Sequence, residues 1–160
     1  MVIIRKKNRL WMWLYNKWYF FVTLCVQSKQ SYFWNIDVGA DTIRLNMYWK
    51  TIEECRYNIS SVYENVSLEG FVVMPNHIHW IISIDTNEAI NNRPYGELSS
   101  IIKWFKRVTS KRLHEIWLTD FKRQRSFYDH VIRNEQDFQR IQEYIQLNPY
   151  KRENDEYFLG

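Results

Sequence analysis

The sequence predicts an α+β domain of two layers, a mostly antiparallel sheet with helices packed on it. Three observations lead there. Runs rich in β-formers alternate with helical stripes in the order strand, helix, strand, helix, strand, helix. The 160 residues are 46% hydrophobic and 18% aromatic, enough apolar side chain to fill one core. Glycine (4) and proline (3) are scarce and no segment is of low complexity, so disorder and linkers are excluded and residues 1–160 read as a single domain.

Taken in order, Tyr19 to Val26 is a run of β-formers and predicts a strand, and Gln27 to Gln30 a loop. Residues 40–64 are mixed. Ile43, Met47 and the stretch from Ile52 to Val62 approximate a 3.6-residue spacing, so a helix is expected. Glu69-Gly70 reads as a turn, and Phe71 to Ile84 as a strand pair or one strand kinked at Pro75. Asn87 to Gly96 reads as a loop. A helix is expected from Ser99 or Ser100 to about Ile116, on the stripe Leu98, Ile101, Ile102, Phe105, Val108, Leu113 and Ile116. Phe127 to Ile132 predicts a short strand. Asn134 is a good N-cap, followed by Glu135 and Asp137 where acids complement the helix dipole. That last helix runs on through Phe138, Ile141 and Ile145 and ends before Pro149.

Composition also bounds the class of function. The net charge of +4 permits a phosphate-rich partner without demanding one. Cys25 and Cys55 form neither a disulfide framework nor metal-site spacing, and read as reduced core thiols of a cytoplasmic protein. The apolar stretch Leu10 to Tyr15 follows the basic Arg5-Lys6-Lys7-Asn8-Arg9. It is too short for a membrane span and reads as a basic lead-in to the first strand, so no membrane partner is expected.

The most informative segment is Met74-Pro75-Asn76-His77-Ile78-His79-Trp80-Ile81-Ile82. In an extended chain His77 and His79 point to one face, and Ile78, Trp80 and Ile82 to the other. Two imidazoles on one face can converge on a metal such as Mn or Zn, whereas Mg requires oxygen donors alongside. Two ligands rarely suffice, so a third is expected elsewhere. A hydrogen-bonded or surface pair is the alternative for a bare His-x-His. Burial of two unpaired rings in an apolar strand weighs against it.

The second segment is Asp137 to Pro149. Phe138, Ile141 and Ile145 form its core stripe, and Tyr144 and Asn148, at i and i+4, lie together on one flank. Taken singly, Tyr144 reads as packing at a core edge and Asn148 as a C-terminal cap. Taken with the histidines they acquire chemistry. A phenol, with a pKa near 10, attacks a phosphodiester only if a metal neutralises the phosphate and a neighbour takes the proton. A metal on His77 and His79, with Asn148 as an oxygen ligand, would place Tyr144 beside it.

The helix 98–116 carries Lys103, Lys106, Arg107, Ser110, Lys111 and His114 on one face, with only Glu97 and Glu115 flanking it. A solvated face is one reading and a DNA-backbone contact beside the phosphodiester site is the other. Arg133 is a further candidate DNA contact, close in sequence to the Tyr144 helix.

These residues together resemble the single-tyrosine transposases of the histidine–hydrophobe–histidine (HUH) type, and most of all the REP-associated tyrosine transposases. Met74 to Trp80 is similar to the HUH motif and Tyr19 to Cys25 to the first strand. Ser100-Ile101-Ile102 with Phe105-Lys106 is similar to the central helix. Phe127 to Glu135, followed by Glu143-Tyr144-Ile145 and Asn148-Pro149, is similar to the C-terminal signature. Two positions depart from that pattern. Arg123 stands before Gln124 where a Trp is usual, and Phe33-Trp34 replaces a Gly.

The resemblance, which spans residues 18–155, implies a ferredoxin-like fold with a central antiparallel sheet. It implies a divalent metal, Mg or Mn, on His77 and His79 with Asn148 as third ligand, and Tyr144 as nucleophile. It further implies a 5′-phosphotyrosyl intermediate with a free 3′-hydroxyl, single-stranded DNA with a hairpin as partner, and a homodimer as one assembly open to the chain. Two other readings stay open on the residues alone: a nucleic-acid-binding module without catalysis, and a metal-dependent nuclease that uses water.

Overall fold

In the computed structural model, residues 17–27, 30–37, 42–45, 47–86 and 94–157 are described. The basic lead-in at 5–15 and most of the loop expected at 87–96 lie outside them. The elements are β1 (Lys17–Cys25), β2 (Trp34–Asp37), β3 (Thr42–Leu45), α1 (Met47–Tyr57), β4 (Val66–Val73), β5 (His77–Asp85), α2 (Pro94–Glu115), β6 (Tyr128–Ile132) and α3 (Glu135–Leu147). A 3₁₀ turn, Arg152–Asn154, follows.

The main sheet is antiparallel throughout, in the order β4-β5-β1-β6, with β2 and β3 pairing apart from it as a hairpin. Strand, helix, hairpin, helix, strand in that spatial order is the ferredoxin-like arrangement, so the α+β expectation holds. Alternation along the strands divides the side chains between the two faces. Phe20, Val22, Leu24, Ile78, Trp80, Ile82 and Ile84 join Ile52 and Cys55 of α1 and Leu98, Ile101, Ile102 and Phe105 of α2 in the larger core. On the opposite face Tyr19 and Ile81 meet Ile132 and Ile141 and Ile145 of α3 in a smaller one. Helix α3 therefore adds to the two layers from the other side of the sheet. Each fully buried Leu or Ile contributes roughly 1.5–3 kcal/mol relative to exposure.

Register places the histidines. β1 pairs with β5 so that Thr23 opposes His79, Leu24 opposes Ile78 and Cys25 opposes His77. A slip of one residue would drive both imidazoles into the larger apolar core, which makes this register strongly preferred.

Three expectations are corrected. Thr42–Leu45 is a strand, because β-branched and polar residues alternate there, and the helix starts only at Met47. Glu69-Gly70 lies inside β4, where the register shifts between Leu68 and Gly70, and the hairpin turn falls at Met74–Asn76. The turn is pinned by backbone bonds from Val26 N to Asn76 O (2.9 Å), Tyr32 N to Pro75 O (2.9 Å) and Met74 N to His77 O (2.8 Å). Helix α2 starts at Pro94, not at Ser99 or Ser100, because proline's fixed φ and missing N–H suit a helix's first turn. It ends with Trp117 at φ 76°, a conformation usually left to glycine. The strand reading at 71–84 resolves as the pair. The N-cap also holds, since Asn134 Oδ1 accepts from Asp137 N at 2.8 Å. Cys25 and Cys55 are free and buried.

Candidate active site

The face of the sheet that carries α3 holds the polar cluster. His77 and His79 project from β5, each 1% exposed, so each needs partners. Asn76 Nδ2 donates to Tyr157 O (3.0 Å), which turns its Oδ1 toward His77 Nδ1 at 2.6 Å. With a cation bound, that pairing would keep the proton on His77 Nδ1 and leave the Nε2 lone pair to ligate. Thr23 Oγ1, across the ladder on β1, holds His79 Nδ1 at 2.9 Å and leaves His79 Nε2 facing inward. The two Nε2 atoms stand 3.0 Å apart.

The third member is Asp155, which follows the 3₁₀ turn. Its Oδ2 lies 3.0 Å from His79 Nε2 and 3.4 Å from His77 Nε2. Its Oδ1 accepts the backbone N–H of Tyr157 at 2.8 Å, and Asn148 Nδ2 donates to Oδ2. Burial opposes the charge on Asp155, but hydrogen bonds with His77, His79 and Asn148 outweigh it and hold the carboxyl far below the usual carboxylate range. Burial lowers the pKa of His79 and so favours its neutral, ligating form. His77, His79 and Asp155 are all buried and their candidate ligand atoms lie within 4.8 Å of one another.

This set fits a divalent cation. Two imidazole nitrogens and a carboxylate oxygen converge, and hydrogen bonds to their outward atoms fix the orientation that metal ligands require. Asn148 Oδ1, also buried, has no hydrogen-bond partner among the described residues. Two nitrogens with one carboxylate suit Mn²⁺ better than Mg²⁺, which prefers oxygen throughout.

Tyr144 completes the cluster from α3. The apolar stripe Ile141 and Ile145 docks the helix on Tyr19 and Ile81, which brings the tyrosine over the histidines. Gly70 permits this approach, since a Cβ there would stand 3.2 Å from Ile81 Cδ1 and 3.4 Å from Ile145 Cδ1. The Tyr144 hydroxyl donates to Asp155 Oδ2 at 2.8 Å and lies 3.2 Å from His79 Nε2. Burial and then the Asp155 carboxylate push its pKa above the ordinary phenol value, so the resting group keeps its proton. The residue remains 37% exposed, on the wall of an open cleft, and a substrate can therefore reach it.

His77, His79, Tyr144 and Asn148, expected from the sequence, thus meet in one cluster. Asn148 engages it through its amide nitrogen, and the carboxylate that the sequence reading missed is Asp155. Nothing in the local pattern of Arg152-Glu153-Asn154-Asp155-Glu156 distinguishes it from a solvated acidic turn.

The basic stripe of α2 does not join the cluster. Its apolar side belongs to the larger core, so the exposed Lys103, Arg107 and Lys111 point away from the sheet on the side opposite Tyr144. This corrects the expectation of a stripe beside the site. Lys106 is directed inward. Its ammonium donates to the carbonyls of Gln124 (3.0 Å), Arg125 (3.0 Å) and Ser126 (2.9 Å) and clamps that loop. Arg123 packs its guanidinium against the rings of Phe105 and Phe121, at 5.4 and 5.2 Å, filling with an arginine a place suited to a large flat side chain. Arg133 is exposed beside Asp129 and His130, nearer the Tyr144 helix.

Comparison with known proteins follows this geometry. Among solved structures, a REP-associated tyrosine transposase bound to a REP hairpin superposes with a TM-score of 0.57 at 19% identity, covering 84% of this chain and 68% of that one. The chain has the tyrosine transposase fold. A protein of Deinococcus radiodurans provisionally assigned as a transposase superposes with a TM-score of 0.55 at 12% identity, covering 81% of this chain and 89% of that one. An uncharacterized protein of Haemophilus influenzae is 30% identical over 161 residues, spanning 88% of this chain and 85% of its own. The transposase-like chain belongs to the same family as that protein. No family model matches it. No helix among the described residues is long and apolar enough to cross a membrane.

Proposed function

We propose that the protein is a single-stranded DNA endonuclease and strand transferase in which Tyr144 is the nucleophile and a divalent metal, Mn or Mg, binds His77, His79 and Asp155. The observation that carries this reading is the contact of the Tyr144 hydroxyl with both His79 Nε2 (3.2 Å) and Asp155 Oδ2 (2.8 Å). A nucleophile one hydrogen bond from a triad that fits a metal is the minimum apparatus for transesterification at phosphorus. When bound, the cation supplies positive charge that neutralises the scissile phosphate and lowers the barrier to attack.

The chain's own residues do the rest. Asp155 accepts the hydrogen bond of the phenol and orients its oxygen toward the histidines. Asn148 steadies Asp155. Asn76 and Thr23 keep both imidazoles in the ligating tautomer. Tyr144 Oη bonds to phosphorus as the P–O3′ bond breaks, leaving a 5′-phosphate on the tyrosine. The phenol proton leaves to solvent as the bond forms, and a proton from solvent ends on the departing 3′-oxygen as a hydroxyl. Attack by another 3′-hydroxyl reverses the step and joins strands. The neighbour bound to a REP hairpin supports DNA with a hairpin as the substrate class. Arg133, Lys103, Arg107 and Lys111 are proposed contacts to its backbone, the last three on the far face.

The test is incubation with Mn and labelled single-stranded oligonucleotides carrying a hairpin, read on denaturing gels. Wild type is expected to give a covalent adduct and Tyr144→Phe none, with metal binding retained in both. Adduct formation by Tyr144→Phe removes the nucleophile assignment. Cleavage by Tyr144→Phe without any adduct points to a nuclease that uses water.

A further inference from the structure

The cleft beside Tyr144 differs chemically from a phosphate site. It encloses about 450 Å³, and its lining includes the rings of Phe21, Tyr128 and Tyr157 together with the carboxylates of Asp129 and Glu156. Among the described residues, no lysine or arginine lines it. Two carboxylates without a full cation repel a phosphate and accept hydrogen bonds from an uncharged donor. Tyr128 is 57% exposed, and its ring lies 5.8 Å from that of Tyr157 at an interplanar angle of 46°. Phe21 is fixed by stacking on His79 at 5.3 Å and by an edge contact with Tyr144 at 6.1 Å. The cleft is thus an aromatic recess with acceptors, open on the side of the nucleophile.

We propose that this cleft receives one unpaired nucleobase of the strand that reaches Tyr144, and that it favours bases with an exocyclic amine over thymine. The proposal rests on the DNA-processing reading above and names which part of the strand is read. Tyr128 supplies a face for stacking, tolerant of any base. Asp129 and Glu156 supply acceptors that match the amines of cytosine and adenine, and of guanine through its N2, whereas thymine has no amine and presents its O4 carbonyl where cytosine carries one. The metal triad and Tyr144 engage the backbone, and the cleft engages the adjoining base. Asp129 and Glu156 are the specificity-determining residues in this arrangement, and Tyr128 supplies the affinity.

The experiment uses the full chain in EDTA, so that chemistry is silent. It uses single-stranded oligonucleotides with 2-aminopurine placed at each position around the junction that adduct formation maps. One position is expected to show strong fluorescence quenching on binding. Thymine or an abasic residue there should weaken binding about tenfold relative to cytosine, with no such effect elsewhere. Tyr128→Ala should abolish the quenching and weaken binding on the order of tenfold, and Tyr128→Phe should retain both. Asp129→Asn combined with Glu156→Gln should erase the preference over thymine while leaving the quenching. Equal affinity for every base and the abasic residue at all positions, with adduct formation intact, overturns the proposal and leaves the DNA-processing reading standing. Tighter binding of every oligonucleotide by the doubly neutralised variant, with a steeper salt dependence, shows instead that the cleft takes a phosphate. Binding of no oligonucleotide and no adduct overturns both.

Discussion

Replacing Asp155 with Asn preserves the side-chain outline and removes its charge. In the folded protein the carboxylate accepts from Tyr144 Oη at 2.8 Å, from the Tyr157 N–H at 2.8 Å and from Asn148, and it lies 3.0 and 3.4 Å from the two imidazole Nε2 atoms. An amide keeps one of these acceptor roles and sets a donor against the others. Charge-assisted hydrogen bonds contribute about 1.5–3 kcal/mol each, against about 1 for neutral ones, so the metal-free variant should lose about 2 kcal/mol of stability.

The effect on metal binding should be larger, because the only anionic ligand of the triad is lost. Affinity for Mn should fall at least ~100-fold, which is about 2.7 kcal/mol. Asn148→Ala acts on the metal only through Asp155 and should cost about tenfold, the low end for an outer-shell partner. Calorimetric titration with Mn on both variants, with thermal melts in EDTA to confirm folding, compares the two residues directly. Wild-type affinity in Asp155→Asn refutes the assignment of Asp155. A larger loss in Asn148→Ala than in Asp155→Asn restores Asn148 as the third ligand.

Two further outcomes follow from α3. Gly70→Ala puts a Cβ against the mobile ends of Ile81 and Ile145, at 3.2 and 3.4 Å, so stability should drop by only about 1 kcal/mol. The shift passes to Tyr144, the neighbour of Ile145, and adduct formation should fall about tenfold at unchanged Mn affinity; an unchanged rate refutes the role of Gly70 in seating the helix. Asp137, near the start of α3, sits 2.8 Å from His130 Nε2 and 2.7 Å from Arg140 Nη2. Burial opposes its charge, but His130 and Arg140 outweigh it and depress its pKa below the ordinary carboxylate value. A depressed carboxyl stabilises above its unfolded pKa and loses that stabilisation as pH falls through the folded one. Wild type should therefore melt above Asp137→Asn at pH 7, by up to about 1 kcal/mol, with the gap closing below pH 4; a gap independent of pH refutes the ion-pair origin.

Local patterns carried much of the fold. Asn134 as N-cap, the stripe Phe138, Ile141 and Ile145, and the alternation of His77 and His79 with Ile78 and Trp80 are decided by neighbours within a few residues, where helix and strand periodicity acts. Less was legible where a local signal had two outcomes. Glu69-Gly70 has turn composition, yet the pairing of β4 with β5 absorbs the glycine as a register shift, and the space it leaves admits Ile145. Thr42–Leu45 is compatible with a helix by spacing and becomes a strand because Trp34–Asp37 pairs with it.

Two histidines two apart on a strand and a tyrosine one helical turn from an asparagine follow from backbone periodicity, so the residues able to bear the chemistry are legible along the chain. Which groups share a site is a matter of long-range packing. It brought Asp155 from beyond the last helix to the histidines, a contact across 76 positions that no local pattern encodes. It also separated the basic stripe from them, because α2 buries its apolar side on the opposite face of the sheet. Which face of a sheet a helix covers depends on the whole of its apolar complement, and that is settled only when the core packs.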